Sequence, residues 1–459
     1  MNILNDSIGY ILSFKPYVLL PLILLVFSVV FRIPLGKAIL SSLKIGIGFI
    51  GIFIIFGYFV SNIGPAVQAL TSRTGLKMNV LDVGWTPLAI ITWSYKLTPL
   101  LLLLVICVNL IMLAMRKTRT VNIDIWNYWH FIFIGIAVYE ATYSMVLSAL
   151  SVIASAVLTL KLADWSAEAI KSFSGLSGIT TTTISGLCYF PIGLAGDRIL
   201  DKIPFIQKIR ANPDTMKEKL GVFGEPILIG FIIGLLLGVG SGYDIKNTLE
   251  LSFSIAAVIY ILPLMTGILG HGLIPISDGM KYFIKRKFPN ASDYCIGLDL
   301  AILVGNPGVI ITGLLLMPVS LLMAFILPGI RFIPLGDLAN LMGAIVMVVV
   351  ATRCNIIRSF IISIPIIIAK LYVASEMSVV YTSLAQKVNY RFEGYNGMIT
   401  SFLDGGNLLK YWFIKLFEGN PHAALFLPVV FAGLYFTWRV QKSEQTYNLT
   451  DSGSYKVNI

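Results

Sequence analysis

Two carboxylates occupy matching positions in the two halves of this 459-residue chain. Asp82 belongs to Leu-Asp-Val-Gly-Trp-Thr-Pro, and Asp299 belongs to Leu-Asp-Leu-Ala-Ile-Leu-Val-Gly-Asn-Pro. Each Leu-Asp pair precedes a Gly and Pro break, after which a long apolar run begins. Because an ionised carboxylate only accepts hydrogen bonds, each could receive two hydroxyls of a polyhydroxylated ligand. Each could equally cap the helix that follows it.

Other landmarks around these carboxylates repeat in the same order. The matched positions are Pro65 with Pro275, Asp124 with Asp337, and Gly178 and Gly186 with Gly397 and Gly405. In a membrane transporter, interrupted apolar segments at corresponding positions of two halves are the best sequence pointer to the binding site. The repetition therefore predicts a transporter with its site near these breaks.

Two Gly-rich segments form a second repeated feature. Residues 174–190 and 393–407 each carry two Gly eight positions apart, with Ser and Thr between them. Gly allows the backbone to turn tightly beside a ligand, and hydroxyls both donate and accept hydrogen bonds. We interpret the segments as hairpin tips at a substrate site; the alternative is a pair of linkers whose hydroxyls bond to local backbone. Their candidate substrate-binding residues are Thr181, Thr182, Thr183, Ser185, Asp404 and Asn407.

Single polar residues in apolar surroundings supply further candidates. Glu225 lies at the start of the second half. An ionisable residue at membrane depth is a functional candidate by default. The alternative is a glutamate at a helix start, which the helix dipole favours. His130 is expected to make a polar contact with the substrate, whereas Trp129 is expected at the membrane interface, where Trp is common. Trp85 and Asn306, which lie in the two Gly and Pro breaks, complete the set.

The composition identifies a polytopic membrane protein. The chain is 57% hydrophobic and only 12% charged, with a mean hydropathy of +0.85, whereas soluble domains carry about 25% charged residues. With about 20 residues needed to cross a bilayer, the apolar runs predict an all-α fold of about eleven transmembrane helices. The four cysteines and three histidines are scattered, so neither disulfides nor a His-rich metal site is expected.

The net charge of +11 fits membrane topology better than nucleic-acid binding. Lys and Arg collect in short cytoplasmic loops of membrane proteins. If the N-terminus lies outside the cell and the C-terminus lies in the cytoplasm, every basic loop of the chain is cytoplasmic. These loops lie at 116–119, 198–219, 281–287, 353–358 and 439–442. Each half then crosses the membrane an odd number of times, which makes the two halves inverted repeats.

The chain divides into five segments on this basis. They are the first inverted repeat (1–200), a cytoplasmic linker (201–222), the second inverted repeat (223–415), a final transmembrane helix (416–440) and a cytoplasmic tail (441–459). Residues 79–93 and 294–308 are too polar and too interrupted for full crossings. We interpret both as broken or re-entrant segments, because non-helical backbone at membrane depth must be buried in protein or line a wet cavity. Ordinary external loops are the alternative.

The order of several short motifs resembles one protein family. The motifs are VGW (83–85), VNIDIWNYWH (121–130), KLADW (161–165), FGEPILIGFIIGLLLG (223–238), IGLDLAILVG (296–305) and IPLGDLA (333–339). Together they resemble the galactitol-type IIC component of the bacterial phosphoenolpyruvate-dependent sugar phosphotransferase system. The resemblance extends over nearly the whole chain without large gaps.

This resemblance implies the permease subunit of a sugar-alcohol transporter in the bacterial plasma membrane. Such a subunit takes a polyol from outside and presents it inward, where a separate IIB subunit, the partner of IIA, donates a phosphoryl group from a phosphocysteine. The related ascorbate permeases are homodimers with inverted repeats that move a core domain as an elevator. The chain would then be the membrane subunit of a phosphotransferase complex, with no catalytic residue, metal or cofactor of its own and no nucleic-acid partner.

The first Gly-rich segment departs from the family pattern. Relatives carry His-Gly-Thr-Ser there, whereas this chain reads Thr-Thr-Thr-Thr-Ile-Ser at 180–185. The change removes a hydroxyl-binding group and leaves the exact polyol open, with galactitol first and other hexitols or pentitols next.

Two other functions fit parts of the sequence. An ion-coupled secondary transporter of a sugar or organic acid would also use inverted repeats and embedded carboxylates. A membrane enzyme acting on lipid would need a Ser/His pair or a metal cluster, and the sequence shows neither pattern.

Overall fold

A computed structural model of the chain describes residues 14, 16–73, 78–207, 209, 211–213, 218, 221–287, 294–391 and 397–451. Parts of the predicted linker, of the second Gly-rich segment and of the C-terminal tail lie outside these ranges. All twelve candidate substrate-binding residues lie inside them.

Apolar helices make up most of the first half. Within the described ranges they are α1 (Pro16–Val30), α2 (Leu35–Ser72), α3 (Trp85–Trp93), α4 (Thr98–Ala114), α5 (Trp129–Thr142), α6 (Met145–Ser174), α7 (Ile184–Leu187), α8 (Phe190–Leu200) and α9 (Pro204–Gln207). A 3₁₀ turn, Ile125–Tyr128, leads directly into α5.

The second half has a similar helical composition. Its described helices are α10 (Pro226–Ser241), α11 (Ile245–Lys287), α12 (Ala301–Val304), α13 (Pro307–Ile326), α14 (Leu341–Ala351), α15 (Ile356–Lys387), α16 (Leu408–Phe417), α17 (Pro421–Leu425) and α18 (Leu427–Asp451). The expectation of a mainly helical membrane protein is confirmed.

Six stretches of described helix are long and apolar enough to cross a membrane, and α3 with α4 would make a seventh. These two helices meet at 98° across a break of a few residues, which lies just after the predicted broken segment at 79–93. Three shorter apolar helices, in α1, α10 and α14, fall below the length of a full span. The count of eleven crossings therefore stays a prediction.

Five short strands were not predicted from the sequence. They are β1 (Val80–Asp82), β2 (Thr120–Asn122), β3 (Ile179–Thr181), β4 (Cys295–Leu298) and β5 (Met398–Thr400). β1 pairs with β5, and β4 pairs with both β2 and β3, all in parallel. Each sheet thus joins strands from both halves of the chain. The pairing satisfies backbone groups that the interrupted helices leave open, as burial at membrane depth requires.

The helices form two bundles. In the first, α2 and α11 pack along much of their length, with α1 against α2 and α10 against α11. Gly230, Gly234 and Gly238 form a stripe on α10 that faces α11, and small residues of this kind let membrane helices approach closely. In the second bundle, α4, α5 and α6 pack together, and α13, α14 and α15 pack together. The paired strands lie with the second bundle, since β3 packs on α6 and β5 packs on α15.

Candidate functional site

A cavity of about 400 Å³ opens between the two bundles. One wall is apolar and comes from α1 and α2; it consists of Leu19, Leu20, Ile23, Phe49, Ile52, Phe53 and Gly57. The opposite wall carries the polar side chains of the strand ends, the short turns and the start of α5. They are Trp85, Thr86, Asp124, Trp126, Asn127, Trp129, His130, Thr183, Ser185, Asp299, Asn340 and Asp404. Apolar residues lie among these polar ones: Ile123, Ile125, Leu300, Val304, Ala344 and Leu403. A ligand in this cavity would meet hydrocarbon on one side and hydrogen-bonding groups set among apolar side chains on the other.

Half of the twelve predicted residues line this cavity. These six are Trp85, His130, Thr183, Ser185, Asp299 and Asp404. They come from five separate stretches of sequence, and the strand pairing brings them to one place. Thr183 and Ser185 follow β3, whereas Asp299 follows β4, which is hydrogen-bonded to β3.

Asp299 forms a cluster with Asp124 on the polar wall. The Asn127 side-chain amide donates to Asp124 Oδ2 at 2.7 Å and also donates to Asp299 Oδ2. The backbone N–H of Ala301 donates to Asp299 Oδ1 at 2.7 Å. Burial raises the pKa of both carboxyls, and the proximity of Asp299 raises the pKa of Asp124 further. Asn127 therefore bridges two buried carboxyl groups that both face the cavity.

A second cluster holds His130, Asp404 and Lys410. Lys410 Nζ lies 2.6 Å from Asp404 Oδ1 and 2.8 Å from His130 Nδ1, and the lysine side chain is only 2% exposed. Burial opposes ionisation of Asp404, but the adjacent Lys410 ammonium outweighs it and holds the pKa of Asp404 below its usual range. The cavity thus presents one ionised carboxylate beside an imidazole.

Asp82, Thr181 and Thr182 lie in the interior outside the cavity lining. Asp82 Oδ1 accepts hydrogen bonds from the backbone of Gly84 and Phe402. Thr181 Oγ1 donates to the Leu298 carbonyl at 3.0 Å, and Thr182 Oγ1 donates to the Asn122 side-chain oxygen at 2.9 Å. The contacts with Phe402 and Leu298 connect the two halves, whereas the contact with Asn122 connects two strands of the first half.

Asn306, Asn407 and Glu225 occupy helix starts. Asn306 Oδ1 accepts from the Gly308 backbone at 2.8 Å, which caps α13. Asn407 caps α16 and also donates through Nδ2 to the Ser185 carbonyl at 3.2 Å, directly behind the cavity wall. Glu225 immediately precedes α10 and lies away from the cavity lining.

Sequence reasoning missed several lining or supporting residues. Asp124 was recognised only as a landmark of the repeat, and Asn127 carried no signal of its own. The expectation that Trp129 lies at the membrane interface is wrong, because the side chain is fully buried and lines the cavity. Lys410 reads in the sequence as an ordinary charge near a helix start, and only the fold shows that it is buried.

The described residues contain no group of three or more His, Cys, Asp or Glu side chains arranged to hold a metal ion. The polar side chains that line the cavity carry carboxylate, imidazole, amide, hydroxyl and indole groups. Such a set suits a neutral ligand with many hydroxyls, because each hydroxyl both donates and accepts a hydrogen bond.

Comparison with known proteins agrees with the resemblance found in the sequence. The profile of a family described as the sugar-specific permease component of the phosphotransferase system (PTS) matches residues 10–394. The galactitol-specific EIIC component of the PTS from Escherichia coli (strain K12) is 33% identical over 437 residues, which cover 95% of this chain and 96% of the relative. A putative permease IIC component of the same strain is 33% identical over 402 residues, which cover 88% of this chain and 92% of the relative. The chain belongs to the sugar-specific permease family of the phosphotransferase system and is a multi-pass membrane protein.

Proposed function

We propose that this protein is a sugar-alcohol permease subunit with galactitol as its first substrate. The name of the galactitol-specific relative supports the substrate class. The single observation that carries the proposal is the cavity, whose polar wall combines Asp124, Asn127, His130, Asp299 and Asp404 against an apolar wall. A hexitol has six hydroxyls on a compact carbon chain, and leaving a buried hydroxyl without a partner costs about 1–3 kcal/mol. A wall dense in acceptors and donors meets that requirement.

The place of the cavity supports transport by movement of one bundle against the other. α1 and α2 supply the apolar wall, and the second bundle supplies the polar wall. Polar side chains carried by one rigid body could slide with the substrate past a smooth apolar surface. We therefore assign α4–α6 and α13–α16 to the moving core, and α1, α2, α10 and α11 to the scaffold of an elevator. Inverted repeats, a homodimer and a cytoplasmic C-terminus complete the proposal.

Phosphorylation of the transported polyol belongs to a cytoplasmic partner in this proposal. A IIB subunit, charged by IIA, would bring a phosphocysteine to the inward-facing cavity. The phosphorus–sulfur bond breaks as the substrate oxygen bonds to phosphorus, and the proton of the hydroxyl passes to the departing cysteine thiolate of IIB. The permease contributes by holding that hydroxyl in line for attack, since positioning alone lowers the barrier of such a transfer.

Uptake of radiolabelled galactitol by cells that produce the protein, with and without IIA and IIB, tests the proposal. We expect internal label to be recovered as galactitol phosphate only when the partners are present.

The buried Asp124 and Asp299 pair also favours a second candidate, an ion-coupled transporter that exchanges a proton at these carboxyls. Free galactitol that accumulates without partners, and is lost on addition of an uncoupler, would favour this second candidate and overturn the first.

A further inference from the structure

Lys410 is a buried cation placed directly behind the cavity. It lies near the start of α16 with 1% of its surface exposed. Its ammonium contacts Asp404 Oδ1 at 2.6 Å and His130 Nδ1 at 2.8 Å, and lies 4.4 Å from the ring centroid of Trp129. All three of these partners line the cavity, whereas Lys410 itself does not. Any effect of Lys410 on a ligand must therefore pass through them.

The contact with Lys410 fixes the hydrogen-bonding role of His130. An ammonium has three hydrogens and no lone pair, so it must donate to Nδ1. Nδ1 then acts as the acceptor, and the neutral imidazole carries its hydrogen on Nε2. His130 thereby becomes an N–H donor toward the cavity that it lines.

The same lysine fixes the role of Asp404. Oδ1 accepts the hydrogen bond from Lys410, and among the described residues no side chain or backbone group donates to Oδ2. An adjacent ammonium favours the charged form of a carboxyl group. Asp404 therefore presents one carboxylate oxygen as an acceptor, next to the His130 donor.

Trp129 forms a further side of this corner. Its ring lies beside the Lys410 ammonium and lines the cavity. Its indole Nε1–H is fully buried, so the residue offers a ligand its ring rather than its N–H.

We propose that Lys410 is a positioning residue that makes this corner of the cavity, formed by Trp129, His130 and Asp404, specific for one hydroxyl of the substrate. The hydroxyl donates to Asp404 and accepts from the His130 N–H. Without Lys410, the imidazole can take either tautomer, and the carboxylate loses the partner that orients it. The inference rests on the proposed function, because it assumes a sugar-alcohol substrate.

Competition binding with deoxy analogues tests this role. Galactitol is a meso compound, so its six monodeoxy analogues form three pairs of enantiomers, which a chiral site distinguishes. With the purified wild-type protein and radiolabelled galactitol, we expect one of the six analogues to compete about tenfold or more weakly than galactitol, because it leaves buried polar groups unpaired. Lys410→Met should reduce that discrimination to about threefold or less, while the other five analogues keep their ratios to galactitol. Lys415→Met, on the same helix but outside the cavity lining, should change none of these ratios.

Each remaining outcome has a distinct meaning. Wild-type protein that fails to bind galactitol would contradict the proposed function. The role of Lys410 would be overturned if the wild-type protein binds galactitol but Lys410→Met discriminates against the deoxy analogue as strongly as the wild type does. It would also be overturned if Lys410→Met lost the same affinity for every analogue. If Lys410→Met does not fold, His130→Phe retains an aromatic ring but deletes the N–H donor. This variant must lose discrimination against the same deoxy analogue, and unchanged discrimination overturns the hydroxyl-specific corner.

Discussion

The backbone N–H of Asp337 donates to the Asp82 carboxylate at 3.2 Å, although 255 positions separate the two residues. Both side chains are buried, and both accept hydrogen bonds from the loop after β5. Asn127 likewise bridges Asp124 and Asp299. The sequence repeat matches Asp82 with Asp299 and Asp124 with Asp337. Each pair therefore joins one carboxyl from each half, which supports the proposal of two interlocked repeats.

Asp337 should make the stability of the protein depend on pH. Burial raises the pKa of Asp337 to about 6, against about 3.9 for an unperturbed aspartate. A carboxyl whose pKa is higher in the folded protein stabilises it below the unfolded pKa, and this contribution is lost as the pH rises through the folded pKa. We therefore expect the wild-type protein to lose stability relative to Asp337→Asn between about pH 4 and about pH 6.

Thermal unfolding in detergent across that pH range measures the difference between the two proteins. The Asn variant is a suitable comparison because its side chain has nearly the same shape and does not titrate. A wild-type advantage that grows as the pH rises would show that the ionised form is the stabilising one, contrary to this expectation.

Asn127→Ala should weaken both stability and substrate binding. The change removes the only amide donor that bridges Asp124 and Asp299 within the described residues. The buried carboxyls of Asp124 and Asp299 then lose the amide donor that they share. This loss should lower the free energy of unfolding by about 1–3 kcal/mol. Unfolding temperature and galactitol affinity would both be measured. Asn247→Ala, at an exposed position of α11, is the matched control and should change neither; equal effects of the two variants would contradict the bridging role.

Asp299 and Glu225 were both candidate substrate-binding residues in the sequence. Their positions in the fold predict that substitutions at the two sites affect galactitol binding differently. Asp299 lines the cavity, and Glu225 precedes α10 outside it. Asp299→Asn should weaken galactitol binding by about tenfold or more, because a charged acceptor contributes about 1.5–3 kcal/mol. Glu225→Gln should stay within about twofold of the wild-type affinity. Equilibrium binding of galactitol to both variants measures the two effects. A larger loss of affinity in Glu225→Gln than in Asp299→Asn would place the substrate elsewhere.

Gly234→Ala should separate α10 from α11. A Cβ added there would overlap the Cα of Ser252, and backbone cannot move aside as a flexible side chain can. Overpacking of this kind costs about 1–3 kcal/mol, so the unfolding temperature in detergent should fall. Gly267→Ala, on α11 where an added Cβ meets nothing within 4 Å, is the control and should not lower it. A loss of stability in the control alone would refute the proposed packing.

Tertiary pairing decided which of the predicted residues share a site. Thr181 and Thr183 are two positions apart in one Thr run, yet Thr181 bonds to the Leu298 carbonyl while Thr183 faces the cavity. Residues two positions apart in a strand point to the same side, but β3 ends at Thr181 and Thr183 begins the turn into α7. The run itself therefore shows that hydroxyls are present, but the point at which the strand ends determines which of them a ligand can reach.

The sequence by itself determined the membrane class, the family and the matched carboxylates Asp82 and Asp299, because apolar composition and repeated breaks are local properties of the chain. It could not reveal that Asp82 lies against Asp337, or that Lys410 supports His130 from 280 positions away. Those contacts arise where strands from the two halves pair and where α5 packs on α16. A buried charge is tolerated only when its partners are in place, and the folded chain alone brings those partners together.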